Sequence, residues 1–185
     1  MLTTPEGADV PADAKVEPFP VLVRLHRDFF DFDQAKPNGE DLRFSSSSGE
    51  QMAFQIDEWD ATNGVSSVWV RVPLISGNTR QEITLHWGNV NATSESDGQA
   101  VFNESNGYLS VWHMSDPVRD DVGSLTSIDT GTTATVGMIG SALRRSQGCV
   151  LRRHDYELSD WRELSQHRGV VSSRTSELHS DCLGQ

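Results

Sequence analysis

The sequence predicts an all-β protein: an antiparallel β-sandwich of jelly-roll type over residues 17–103, with strand pattern resuming after it. Three observations carry this. Apolar and polar residues alternate over short runs. Turn chemistry separates the runs at intervals of roughly 10–15 residues. No helical period of useful length precedes residue 140.

The elements follow in order. Residues 1–16 are a polar lead-in with Pro5 and Pro11. Phe19, Val21, Val23 and Leu25 alternate with Pro20, Leu22, Arg24 and His26, giving a strand with one strongly apolar face. Pro37-Asn38-Gly39 is a turn, because Asn-Gly supplies the positive-φ positions of tight turns. A short strand covers Asp41 to Ser45, and a second strand places Met52, Phe54 and Ile56 on one face. After Thr62-Asn63-Gly64, Val68, Val70 and Val72 share a face opposite Trp69 and Arg71, and Pro73 ends the strand. Ser76-Gly77-Asn78 turns the chain into Ile83, Leu85 and Trp87, a further apolar face closed by Gly88-Asn89. A Ser/Asn/Gly-rich connector spans 91–107, and Tyr108 to Met114 restarts the strand pattern. In the tail, Leu158, Trp161 and Leu164 stand at helical spacing after Ser159 as N-cap, a thin stripe for a short helix.

The formal charge of −12 argues against nucleic-acid binding, which needs clustered Lys and Arg, and against docking on anionic lipid. It suits solubility and the attraction of cations such as Ca²⁺. Residues 1–143 hold 8 Lys+Arg against 21 Asp+Glu, whereas 144–185 hold 7 Arg against 6 acids. Both cysteines, Cys149 and Cys182, lie in that tail. So abrupt a shift marks a boundary. No run reaches transmembrane length, so no membrane insertion is expected. The N-terminus lacks the basic start and apolar core of a signal peptide, which by itself reads as cytoplasmic.

FPVLVRL (19–25), KPNGEDLRF (36–44), EWD (58–60), VWVRVP (68–73) and LHWGN (85–89) together resemble, in this order, an uncharacterised bacterial domain family, a domain of unknown function. The resemblance implies a module outside the cytoplasm, often followed by a laminin-G/concanavalin-like sandwich. In some proteins it is fused to a MotA/TolQ/ExbB-type proton-channel subunit of biopolymer transport. It implies no catalytic residues. YLSVWHMSD and VGMIGSALR are similar to the opening of a concanavalin/laminin-G domain, so residues 108–143 are expected to be an incomplete segment of one. The pattern stops at Arg144, and residues 144–185 are expected to be a frameshifted, truncated or disordered tail.

Several groups of residues are candidates for chemistry. Trp59 and Trp69, with Asp60 beside them, could stack and bind a sugar ring; the competing reading is core packing, which parity favours for Trp87. Asp28, Asp31 and Asp33, with Glu40 and Asp41 across a turn, are candidate Ca²⁺ ligands or else a solvated acidic loop. Asp116, Asp120 and Asp121 form a second such cluster. Asp57, Glu58 and Asp60 are too close in sequence to imply the spaced carboxylates of a glycosidase. His26, His86 and His113 fall on separate strands and read as structural rather than metal-binding. The chain has no G-x-S-x-G, P-loop or Cys-x-x-Cys.

The expected function is therefore a non-catalytic module of the bacterial cell envelope, not an enzyme. It would bind glycan or another ligand, or serve as a periplasmic interaction domain of a TolQ/ExbB-type complex, with a secreted hydrolase the least favoured.

Overall fold

The computed structural model describes residues 2–3, 11, 13–114, 118–123, 125, 127–129, 132–137, 140–145 and 151–153. Ten strands make up the first part: β1 (Leu2–Thr3), β2 (Lys15–Val16), β3 (Phe19–His26), β4 (Arg43–Ser46), β5 (Gln51–Met52), β6 (Phe54–Asp60), β7 (Val65–Val72), β8 (Ile75–Ser76), β9 (Arg80–Gln81) and β10 (Ile83–His86). One helical turn follows, α1 (Gly98–Val101), then β11 (Ser127–Asp129), β12 (Thr132–Val136), β13 (Ser141–Arg145) and β14 (Leu151–Arg153).

Two three-stranded antiparallel sheets form the sandwich, one in the order β3-β7-β6 and the other β10-β4-β5. The alternation seen in the sequence supplies their facing surfaces. Val68 and Val70 are fully buried, and Val21, Val23 and Leu25 pack beside them from β3. Phe44 of β4 meets Phe54 of β6 across the gap, ring centroids 5.3 Å apart. Removing such side chains from water at about 25 cal/mol per Å² is what holds the sheets together. Short pairings, β2 with β8 and β1 with β9, extend the structure at the β7 exit.

β6 carries a register shift: Ile56 pairs with Val68, but Glu58 pairs with Ser67 and Trp59 with Ser66. The extra residue, Asp57, reverses the side-chain parity of the strand end. Phe54 and Ile56 face the core as the sequence predicts. Trp59, which strict alternation would turn outward, also faces in.

Two other expectations differ from the structure. The connector contains α1, a single turn too short to show a period; Asp97 caps it, accepting from the backbone N–H of Gln99 and Ala100. Tyr108 to Met114 forms no strand, because its backbone bonds to a neighbouring loop instead of a ladder: Val111 N–H donates to Asp120 Oδ1 and Asp121 N–H to the Val111 carbonyl. Within VGMIGSALR, Val136 ends β12 and Ser141 opens β13, its antiparallel partner, in keeping with the expected strand. The short helix at Ser159–Leu164, both cysteines and Asp116 lie outside the described residues.

Candidate functional site

One end of the sandwich gathers most of the residues singled out in the sequence. There β3 runs into the loop 27–31 and a 3₁₀ turn, Phe32–Gln34, and β6 turns into β7 through 61–64. Arg27 clamps these loops together. Its backbone N–H donates to the Gly64 carbonyl at 2.9 Å and its Nη2 to the Thr62 carbonyl at 2.8 Å. Gly64, at φ +68°, is the residue this approach requires, since a Cβ there would lie 2.5 Å from Arg27 Nε.

The two loops enclose an open depression of about 440 Å³, with Phe30 and Phe32 among its lining and Arg27, Asp31, Asp33 and Thr62 supplying polar groups. Beneath it lies an aromatic cluster. Phe32 and Trp59 meet edge-on at 5.0 Å, Phe30 and Trp59 at 6.0 Å, and Phe30 and Phe32 at 5.0 Å. Trp59 is thus a packing residue under the depression, and its indole N–H is shielded without a partner.

Trp87, assigned to the core by parity, is 42% exposed and lies over Phe30 at 5.1 Å. β10 has ended at His86, so Trp87 covers the end of the core rather than entering it. Phe29, beside Phe30, is 71% exposed. Neither residue was singled out as a surface feature. The Phe-Phe pair inside the acidic loop DFFDFD was the available signal, since apolar side chains in a turn are displayed there.

The three candidate Ca²⁺ ligands are engaged separately. Asp28 pairs with His26 Nδ1 at 3.0 Å. Asp31 caps the 3₁₀ turn, accepting from Asp33 N–H and Gln34 Nε2, and Asp33 is exposed at the rim. Among the described residues no group of three or more His, Cys, Asp or Glu is placed to hold a metal ion. Asp60 accepts from the backbone N–H of Asn63 at 2.8 Å and from its Nδ2 at 2.6 Å, which holds its carboxyl below the usual carboxylate range. Glu40 is held low similarly, chiefly by the Asn38 side chain. Both carboxylates serve turns.

Trp69 lies elsewhere, on the outer face of the β3-β7-β6 sheet. Its ring meets Phe102 edge-on at 5.7 Å and His113 at 6.3 Å. The sequence-nominated tryptophans therefore do not form one platform.

Two of the motifs that carry the family resemblance meet at Asp41, which is 3% exposed. Its Oδ1 accepts the Lys36 N–H at 2.8 Å and its Oδ2 the Gly88 N–H at 2.6 Å, joining KPNGEDLRF to LHWGN. Lys36 Nζ and Arg43 Nη2 then hold the Ala92 and Thr93 carbonyls. Gly39, at φ +69°, lies so close to Trp59 that a Cβ would sit 2.9 Å from the ring. These residues are architectural.

Residues 38–111 match the model of a family described as a domain of unknown function (DUF2341). No curated protein and no solved structure matches the chain. The DUF2341 match takes in Asp41, Trp59, Trp69, Trp87 and Gly88, and starts after Arg27, Phe29 and Phe30. Asp41 and the β10 exit therefore lie within the matched region, Lys36 lies just before it, and five of the eight residues lining the depression precede it.

Proposed function

We propose that this chain carries a non-catalytic, extracytoplasmic β-sandwich module that binds a glycan, or a polar ligand of similar shape, at its loop end. The observation that supports this is the exposed Trp87 ring against Phe30, which itself lines a depression bearing Arg27, Asp31, Asp33 and Thr62. Flat apolar faces beside fixed donors and acceptors suit a ring whose faces are C–H and whose edge is hydroxyl. At this end Asp60 and Glu40 are each engaged in a turn.

A second reading has its own support. Phe29 and Val90 are 71% and 78% exposed, more apolar surface than a sugar site needs. It fits a protein contact, such as a periplasmic partner in a TolQ/ExbB-type transport complex, and the laminin-G/concanavalin-like context belongs to the same proposal.

A glycan array probed with the full chain and with Trp87→Ala and Phe29→Ala separates the two. The glycan reading expects binding that Trp87→Ala abolishes while the fold, by circular dichroism, is kept. A blank array, or binding unchanged in Trp87→Ala, overturns it. Photo-crosslinking from position 29 to an envelope protein, with a blank array, favours the second reading.

A further inference from the structure

A separate group of titratable side chains lies on the outer face of the β3-β7-β6 sheet, where the chain after α1 folds back. His113 is at its centre. Its Nδ1 is 3.6 Å from Asp57 Oδ2, and its Nε2 is 3.2 Å from Asp121 Oδ2. Nε2 also lies 3.2 Å from Gln55 Oε1, while Gln55 Nε2 donates to Asp121. Trp69 Nε1 donates to Asp57 at 3.4 Å. The His113 and Asp57 side chains are 12% and 9% exposed, and Asp121 is 25% exposed. Asp57 is the bulged residue of β6: alternation after Ile56 places its carboxylate outward, and the register shift that follows turns Trp59 inward.

The cluster joins three stretches far apart in sequence: Gln55 and Asp57 in β6, His113 after α1, and Asp121 in the loop that bonds Val111. Trp69 from β7 and Phe102 from the end of α1 complete the enclosure, Phe102 at 5.6 Å from the imidazole. Among the described residues the charged groups that face His113 are Asp57 and Asp121.

The hydrogen inventory decides how this group behaves. Both ring nitrogens face carboxylate oxygens, and a neutral imidazole has only one N–H. With both carboxylates ionised, a neutral ring would turn a lone pair toward one of them. Every contact is satisfied only when the group holds one further proton, on the ring or on a carboxyl. We propose that this cluster is a proton-dependent clasp: it holds residues 108–114 and 118–123 against the sheet while it keeps that proton, and loosens as rising pH removes it.

The behaviour of Asp57 agrees in sign. Burial, its largest influence, pushes its carboxyl above the usual value of 3.8; the His113 charge and the Trp69 hydrogen bond oppose this, and Asp121 adds to it. An acid raised in the docked state stabilises docking fully below its undocked value, and that stabilisation is lost as pH rises through the docked value.

The test uses the full chain, ¹⁵N-labelled, between about pH 5 and pH 8, where imidazole changes charge. The Trp69 indole N–H and the Asp121 backbone N–H are expected to shift with one shared midpoint. Protease cleavage within 108–123, normalised to an unstructured reference peptide, is expected to speed up above that midpoint. His113→Gln keeps polar contacts without titrating, and should remove both the shared shift and the rise in cleavage. A His113→Gln profile identical to wild type, or cleavage that slows as pH rises in wild type, overturns the proposal. Should His113→Gln fail to fold, Asp121→Asn at the exposed edge takes its place. It should move the midpoint down, and an unmoved midpoint has the same negative weight.

Discussion

Replacing Asp41 by Ala is the sharpest test of the reading that the family motifs are architectural. The carboxylate is 3% exposed and accepts two backbone N–H groups, from Lys36 at 2.8 Å and Gly88 at 2.6 Å. A hydrogen bond to a charged acceptor contributes about 1.5–3 kcal/mol, so losing both costs about 3–6 kcal/mol. The stability of a domain is typically about 5–15 kcal/mol, so the change should remove a large part of it. Asp41→Asn keeps the shape and one acceptor oxygen but sets an NH₂ against the other N–H, and should fall between Ala and wild type. Urea unfolding followed by tryptophan fluorescence measures both. The Gly88 backbone N–H resonance reports the local effect, and should move upfield in Asp41→Ala as its short hydrogen bond is lost. A cost below about 1 kcal/mol for Asp41→Ala would refute the reasoning, since surface positions behave that way.

Further expectations concern two turn glycines, the aromatic cluster and the Asp60 cap. Gly39→Ala and Gly49→Ala both force a side chain to positive φ, at +69° and +84°, but only at Gly39 does the new Cβ meet anything, 2.9 Å from Trp59. Gly49→Ala should therefore cost only the backbone strain of about 1–2 kcal/mol, and Gly39→Ala measurably more in the same unfolding assay. Trp59→Ala empties the ring cluster under the depression and should destabilise by about 3–5 kcal/mol, whereas Trp87→Ala at the rim should cost clearly less. The Asp60 cap stabilises its turn above the usual carboxylate value of 3.8 and is lost as pH falls through its lowered folded value. The Asn63 backbone N–H should therefore titrate with a midpoint below 3.8.

What the motif order encodes follows from these contacts. A Pro-Asn-Gly turn, a buried Asp and a Trp-Gly-Asn exit form one joint, because a buried carboxylate needs donors and the nearest are backbone N–H groups of loops from two directions. Of the ligand-facing candidates, Phe29 and Arg27 lie on a separate loop, and Trp87 belongs to the exit that the joint fixes. Binding residues on loops that a rigid scaffold positions are the common arrangement.

Strand alternation by itself determined the sandwich. Val68, Val70 and Val72 had to face in, Trp69 and Arg71 out, and Phe54 and Ile56 in, because side chains of a strand alternate with period two. Glycines after Asn marked the turns for the same local reason. Only the tertiary structure decided the positions of Trp59 and Trp87. A single-residue bulge at Asp57 reverses the parity after it, and nothing local in FQIDEWD announces the extra residue, which depends on how the neighbouring strand pairs. Trp87 keeps its parity but lies past the last ladder bond, where the core has run out. The same holds for His113 with Asp57 and Asp121: three groups separated by as many as 64 residues became one cluster because a segment with strand alternation, Tyr108 to Met114, formed no strand and folded back over the sheet. Alternation is a local property and is written in the sequence, whereas register and docking are long-range and are set only when the chain closes on itself.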